Sequence, residues 1–152
     1  MRVRRLQPGQ EAEVIEASHL LDGTPILAAV AAYLKDNRNV FLLADEGGEP
    51  AGFLRGTELG QLESERKQMF LYEVGVGEKY RRRGAGTALV RELLRYCRGR
   101  GFEEVFVLTD PANEAAVELY RATGAVTETP ADRMFVYRLR KGTTPAAHSS
   151  GH

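Results

Sequence analysis

YRRRGAG, residues 80–86, lies between the apolar run MFLYEVGV (69–76) and the amphipathic run GAGTALVRELLRYCRGR (84–100). Adjacent arginines repel one another, and each glycine weakens a helix start by up to about 1 kcal/mol. A strand that passes through a glycine-lined turn into a helix N-terminus aims several backbone N–H groups at one small volume, which also feels the positive end of the helix dipole. Arg81, Arg82 and Arg83 add forked donors suited to phosphate oxygens, and a polyphosphate would neutralise their crowding. A tight turn with incidental surface arginines is the alternative reading. A Walker loop would need a Gly-Lys-Ser/Thr ending, and a dinucleotide fingerprint a third glycine and a later acidic residue; neither is present.

Working outward, MRVRRL alternates apolar and basic residues and predicts a first strand. Pro8-Gly9 turns into a helical stretch, EAEVIEASHLL, which Asp22-Gly23 breaks. Thr24 as N-cap and Pro25 at the first helical position predict a second helix through ILAAVAAYLKD, with Leu27, Val30, Ala31 and Leu34 on its buried stripe. NVFLLADEGGEPAGFLRGTEL predicts a hairpin around residues 46–50. After the polar loop QLESERKQ comes MFLYEVGV, the most strand-like segment of the chain.

Beyond the arginines, Leu89, Leu93 and Cys97 repeat at four-residue spacing on a long helix that Gly101 closes. EVFVLTD predicts a short buried strand, Asn113 caps a helix over EAAVELYRAT that Gly124 ends, and MFVYRL (134–139) predicts a last strand. The expected fold class is α/β: one domain over residues 1–140 with a mixed sheet covered by helices on both faces, and a disordered tail over 141–152.

The chain has 152 residues with 21 basic and 21 acidic side chains. Its charge is uneven, since the segment 78–100 holds eight basic residues against two acidic ones. That split suits an anionic ligand at one place and a cationic one elsewhere, or simply solvated helix faces of opposite sign. A single cysteine, Cys97, forms no internal bridge, and no apolar run approaches a membrane span or a secretory core, so the cytoplasm is the expected compartment. Three histidines, two of them in the tail, offer neither a metal cluster nor a triad.

Arg81-Arg82-Arg83-Gly84-Ala85-Gly86 resembles, position by position, the Arg/Gln-x-x-Gly-x-Gly/Ala signature of the GNAT superfamily of N-acetyltransferases, placed as in that family between an apolar strand and a long helix. LYEVGVGEKYRRRGAGTALVRELL and VLTDPANEAAVELYRATGA further resemble the small aminoglycoside 3-N-acetyltransferases of the gentamicin-modifying kind. The resemblance implies a central, mostly antiparallel sheet with a splayed central strand, and acetyl coenzyme A as cosubstrate. Its pyrophosphate would lie on the turn from Arg81 through Gly84, Ala85 and Gly86 to Thr87.

Gly75, between Val74 and Val76, invites a bulge or a close backbone approach that would free main-chain groups. In the family the pantetheine arm pairs there like an added strand, which assigns Val74 and Val76 backbone contacts and adds Asn113 and Ala116 from the following helix. Glu73, a lone charge in an apolar strand, matches the acidic residue taken as base in the aminoglycoside branch. A carboxylate is too weak to strip an ammonium directly unless burial raises its pKa, so relay through water is expected. Tyr120, on the same helix face as Ala116, matches the tyrosine that protonates the coenzyme A thiolate.

Aminoglycosides are polycations, so Asp22, Asp110 and Glu114 are candidate acceptor-site carboxylates, with residues 128–133 as a further wall. Cys97 on an apolar helix stripe is a packing residue, which favours direct attack in a ternary complex over an acyl-enzyme. Family members often pair through their last strands, which points to Met134–Leu139 as a homodimer contact. Two other readings share much of this pattern: acetylation of a protein, peptide or metabolite amine, and a non-enzymatic nucleotide or nucleic-acid binder using the Arg91, Arg95, Arg98 row. No interleaved aromatics or recognition motif accompany that row.

Overall fold

The computed structural model describes residues 1–140. Five strands form one sheet in sequence order: β1 (Arg2–Arg5), β2 (Asn39–Glu46), β3 (Glu49–Gly60), β4 (Lys67–Val76) and β5 (Glu104–Val107). All neighbours are antiparallel except β4 and β5, which run parallel across the connection that carries the long helix. Helices α1 (Glu11–Glu16), α2 (Leu27–Lys35), α3 (Ala85–Gly99) and α4 (Glu114–Ala122) cover the sheet, with single 3-10 turns at Ser18–Leu20 and Glu78–Tyr80.

Strand alternation sends side chains to two cores. On one face Phe41, Leu43 and Phe53 meet Val14, Leu20 and Leu34 from the α1–α2 region. On the other, Leu42, Leu54, Leu71 and Val74 meet Leu89, Leu93 and Cys97 of α3, and Ala116 and Tyr120 of α4. The four-residue spacing of the α3 stripe therefore does what it predicts. Cys97 is 3% exposed, and burial, followed by the nearby Glu58 charge, pushes its thiol up to about 11, which suits packing and not nucleophilic attack.

The predicted hairpin forms with Gly47 (φ 59°) and Gly48 (φ 82°) at its tip, both left-handed as a tight two-residue loop between twisted strands requires. Helix α3 ends in a Schellman motif: Phe102 N–H donates to the Cys97 carbonyl at 3.0 Å and Gly101 N–H to the Arg98 carbonyl at 3.2 Å. Gly124 closes α4 the same way, with Ala125 donating to Tyr120 at 2.9 Å and Gly124 to Arg121 at 3.1 Å.

Four expectations change. The stretch 11–21 is not one helix, because α1 stops at Glu16 and a 3-10 turn follows. Helix α2 begins at Leu27, later than Thr24-Pro25 would set it, and its N-cap is Ile26 with no side-chain cap bond. Its first turn therefore projects outward: Leu27 is 61% exposed, Val30 and Ala31 are half-buried and only Leu34 is buried. Strand β5 is half-buried instead of buried, and its outermost residue Glu104 is exposed. Met134–Leu139 carries a strand pattern but joins no ladder, with Phe135 and Tyr137 86% and 89% exposed; alternation does not make a strand without a partner edge. Residues 141–152, expected as a disordered tail, lie outside the described residues.

Candidate functional site

The centre of the site is the place where β4 loses a neighbour. The parallel ladder with β5 ends at Leu71–Val107, while β4 continues along β3 to Val76–Gly52. From Tyr72 onward one edge of β4 is thus outside the β5 ladder. The register also slips here: Arg55 pairs with Glu73 and Gly56 with Leu71, so Tyr72 is an extra residue on β4. That bulge keeps both Leu71 and Val74 in the α3–α4 core while turning Glu73 to the opposite face.

Gly75 is therefore not the bulge, but it is the close approach. A Cβ there would lie 2.4 Å from Phe53 Cε1 and 3.0 Å from the Leu20 carbonyl oxygen, both in the α1–α2 core. Val74 is fully buried against α3, so its side chain is a core group and only its main chain is available to a ligand. Val76 is half-buried and lies beside the position a Gly86 Cβ would fill.

After the 3-10 turn Glu78–Tyr80, residues 81–84 curl into α3. Arg82 (φ 63°) and Gly84 (φ 84°) are both left-handed, a conformation that costs a non-glycine residue roughly 1 kcal/mol. Gly84 is the N-cap of α3 with no side-chain cap bond, and its carbonyl accepts the first helical bond from Ala88 at 2.9 Å. The amides of Ala85, Gly86 and Thr87 precede that bond and have no intrahelical acceptor. No atom outside the local chain comes within 4 Å of where a Gly84 Cβ would stand, so the space over the turn is open.

Of the three arginines, Arg83 is paired with Glu46 at 3.0 Å, and Lys79 with Glu49 at 3.1 Å, which fastens this segment to the hairpin. Tyr80 also donates to Glu49. Arg81 and Arg82 are exposed and make no ion pair among the described residues. Gly86 has a different role from Gly84. Its Cβ would stand 3.2 Å from Leu119 Cδ2 and 3.7 Å from Val76 Cγ2, so its bareness lets α3 approach α4 and β4 closely. Free amides, two unpaired guanidinium groups and open space fit a diphosphate-bearing cofactor.

Tyr120 is 6% exposed and shares the inner face of α4 with fully buried Ala116. Asn113 caps α4 as expected, its Oδ1 accepting the Ala116 N–H at 3.1 Å. The acidic trio comes from two places in the chain. Asp22 belongs to the exposed loop between α1 and α2, whereas Asp110 and Glu114 stand at the start of α4. Asp110 Oδ1 accepts the Ala112 N–H at 2.8 Å, a turn-forming bond.

Glu73 is not solitary. Arg55 Nε donates to its Oε1 at 2.5 Å, with the Glu73 side chain 14% exposed. The Arg55 guanidinium lies over the rings of Tyr72, 4.2 Å from the centroid, and Tyr33 at 5.6 Å. Burial is the largest influence on Arg55 and opposes its charge, but the hydrogen bond and charge of Glu73, together with Tyr33 and Tyr72, outweigh it and hold the guanidinium above its ordinary range. Burial also raises the Tyr33 phenol, whose oxygen lies 2.9 Å from both the Val40 and Gly56 carbonyls. Arg55, Tyr33 and Tyr72 escaped the sequence reading, because Arg55 and Glu73 are 18 positions apart and meet only through the bulged register.

The sequence profile of the Acetyltransferase (GNAT) family matches residues 10–125, and the chain belongs to that family, whose members use acetyl coenzyme A. Among curated relatives it is 32% identical to N-acetyltransferase family 8 member 3 of Rattus norvegicus over 108 residues, 71% of this chain and 47% of the relative. It spans less than half the length of that relative and of the other curated relatives it matches. Among solved structures, an aminoglycoside acetyltransferase from an uncultured soil metagenomic sample, in complex with sisomicin, superposes with TM-score 0.84 at 24% identity, covering 91% of this chain and 96% of that one. A second aminoglycoside acetyltransferase from an uncultured soil metagenomic sample gives TM-score 0.75 at 30% identity over 90% and 98% of the two chains. No helix among the described residues is long and apolar enough to cross a membrane, and they hold no cluster of metal-ligating side chains.

Proposed function

We propose that the protein transfers an acetyl group from acetyl coenzyme A to a primary amine, and that the amine is the 3-amino group of an aminoglycoside. One observation carries the transfer reading: the glycine turn into α3 follows directly on the stretch of β4 that lies beyond its ladder with β5 and presents Glu73 beside the bulge. Acetyl coenzyme A, when bound, supplies an acetyl thioester. Arg81, Arg82 and the amides of Ala85, Gly86 and Thr87 hold its diphosphate, while the main chain of Val74 and Val76 and the start of α4 near Asn113 and Ala116 receive the pantetheine arm.

Glu73 takes the proton that leaves the acceptor amine, through a water. Its Oε1 is held by Arg55 Nε at 2.5 Å, which fixes the orientation of the carboxylate. Tyr120 holds a proton at its phenolic oxygen for the departing thiolate. Asp22, Asp110 and Glu114 attract the polycation. The aminoglycoside assignment is supported by the two solved neighbours and by the sequence resemblance; the 3-position rests on the resemblance alone.

Thiol release from acetyl coenzyme A should be followed with gentamicin, sisomicin, kanamycin, spermidine and lysine peptides side by side, and the product mapped by NMR. Release with the gentamicin class and acetyl on the 3-amino group supports the full reading. Release with peptides or polyamines alone keeps the transfer reading and removes the aminoglycoside.

A further inference from the structure

The side chain that governs Glu73 is on the neighbouring strand. Arg55 meets Glu73 through Nε and Oε1 alone, and Oε2 takes no hydrogen bond among the described residues. The guanidinium has little freedom, because the Tyr72 ring covers it at 4.2 Å and the Tyr33 ring at 5.6 Å. Tyr33 is itself fixed by the carbonyls of Val40 and Gly56, and Gly56 is the β3 residue at the register slip. Three side chains, Tyr33 of α2, Arg55 of β3 and Tyr72 of β4, thus cluster beside the Glu73 carboxylate, the two rings through the guanidinium. Asp36, by comparison, has both carboxylate oxygens engaged by Arg38. Here one oxygen is spent on the partner and the other is left.

We propose that Arg55 is the positioning residue of the acceptor site: it fixes Glu73 through Oε1 and leaves Oε2 to accept a hydrogen bond from the ammonium or water of the incoming amine. The Tyr72 and Tyr33 rings hold the guanidinium in place, so charge alone is not enough; a lysine lacks both the fork and the flat face that stacks. The assignment rests on the acetyl-transfer reading for its catalytic meaning, while the control of Glu73 by Arg55 stands apart from it.

The test is the carboxyl-carbon resonance of Glu73, assigned by its loss in Glu73→Gln, at one fixed pH in the wild-type protein, Arg55→Lys and Arg55→Gln, beside kcat and KM for each. Loss of the hydrogen bond to Oε1 should move that resonance in Arg55→Gln. Arg55→Gln should lower kcat roughly 10- to 100-fold, the scale of a general acid–base contribution, with little change in KM for acetyl coenzyme A. Arg55→Lys should restore only part of kcat. An unchanged resonance in Arg55→Gln overturns the proposal, as does full activity in that variant. If no amine supports turnover, the acetyl-transfer reading falls, and the resonance still decides whether Arg55 holds Glu73.

Discussion

Gly75→Ala should destabilise this protein, and the structure sets the size of the effect. The added Cβ would lie 2.4 Å from Phe53 Cε1, 3.0 Å from Phe53 Cδ1 and 3.0 Å from the Leu20 carbonyl oxygen. Phe53 has nowhere to go: it is 1% exposed and stacked on Phe41 with centroids 5.6 Å apart. Overpacking of this kind costs about 1–3 kcal/mol. The smaller unfolded-state freedom of alanine returns roughly 0.5 kcal/mol, so a net loss near 2 kcal/mol is expected at the upper half of that range, or about 4–8 °C in Tm for a chain of this size. Gly60→Ala is the internal control, because nothing stands within 4 Å of its Cβ position and its φ is not left-handed. Guanidinium unfolding of both variants and of Gly75→Ala/Phe53→Leu measures the difference. The double variant should lose less than the two single variants together, since the ring atom in collision is gone. Gly75→Ala within about 0.5 kcal/mol of Gly60→Ala would refute the close-approach argument.

Four further outcomes are expected. Glu73→Gln should lower turnover by roughly 10²-fold or more with acetyl coenzyme A affinity nearly intact, since the cofactor is held by the turn and strand backbone; equal loss of both, measured by calorimetry and initial rates, would contradict its role. Neutralising Arg81 and Arg82 together should weaken coenzyme A binding and flatten its salt dependence more than Arg83→Gln does, because Arg83 is already paired with Glu46. Gly86→Val should lower stability by pushing on Leu119 and Val76, whereas Gly84→Ala should cost about 1 kcal/mol through its left-handed φ alone, which melting curves separate. Glu13 is held below its ordinary range by its bond to Arg4, so its folded value lies under its unfolded one; the stability it gives is present above the unfolded value and lost as pH falls through the folded one. Glu13→Gln should therefore flatten the acid side of a stability-versus-pH curve, from the ordinary glutamate range downward.

Features encoded by neighbours in the chain were legible in the sequence. The Gly47-Gly48 hairpin, the Asn113 cap, the Gly101 and Gly124 helix ends and the Leu89–Leu93–Cys97 stripe each depend on residues a few positions apart, and each forms. The strand–turn–helix passage at Arg81–Thr87 belongs with them, although the division of labour between Gly84, which supplies a left-handed cap, and Gly86, which admits Leu119, depends on what α4 brings near. What escaped depends on register and on distant partners. The bulge at Tyr72 is a property of the β3–β4 pair, and only that pairing brings Arg55 to Glu73. The start of α2 followed its tertiary setting over the local signal of Thr24-Pro25, and Met134–Leu139 has a strand's alternation without a ladder to join.

The most direct test of the account is an amide-resolved NMR titration of the protein with coenzyme A. Binding at the turn should move the Gly84, Ala85, Gly86 and Thr87 amides most, with Val74 and Val76 following along the open edge of β4. Shifts confined to the exposed Arg91, Arg95 and Arg98 face of α3, or no saturable shift at all, would contradict the cofactor site on which the proposed chemistry depends.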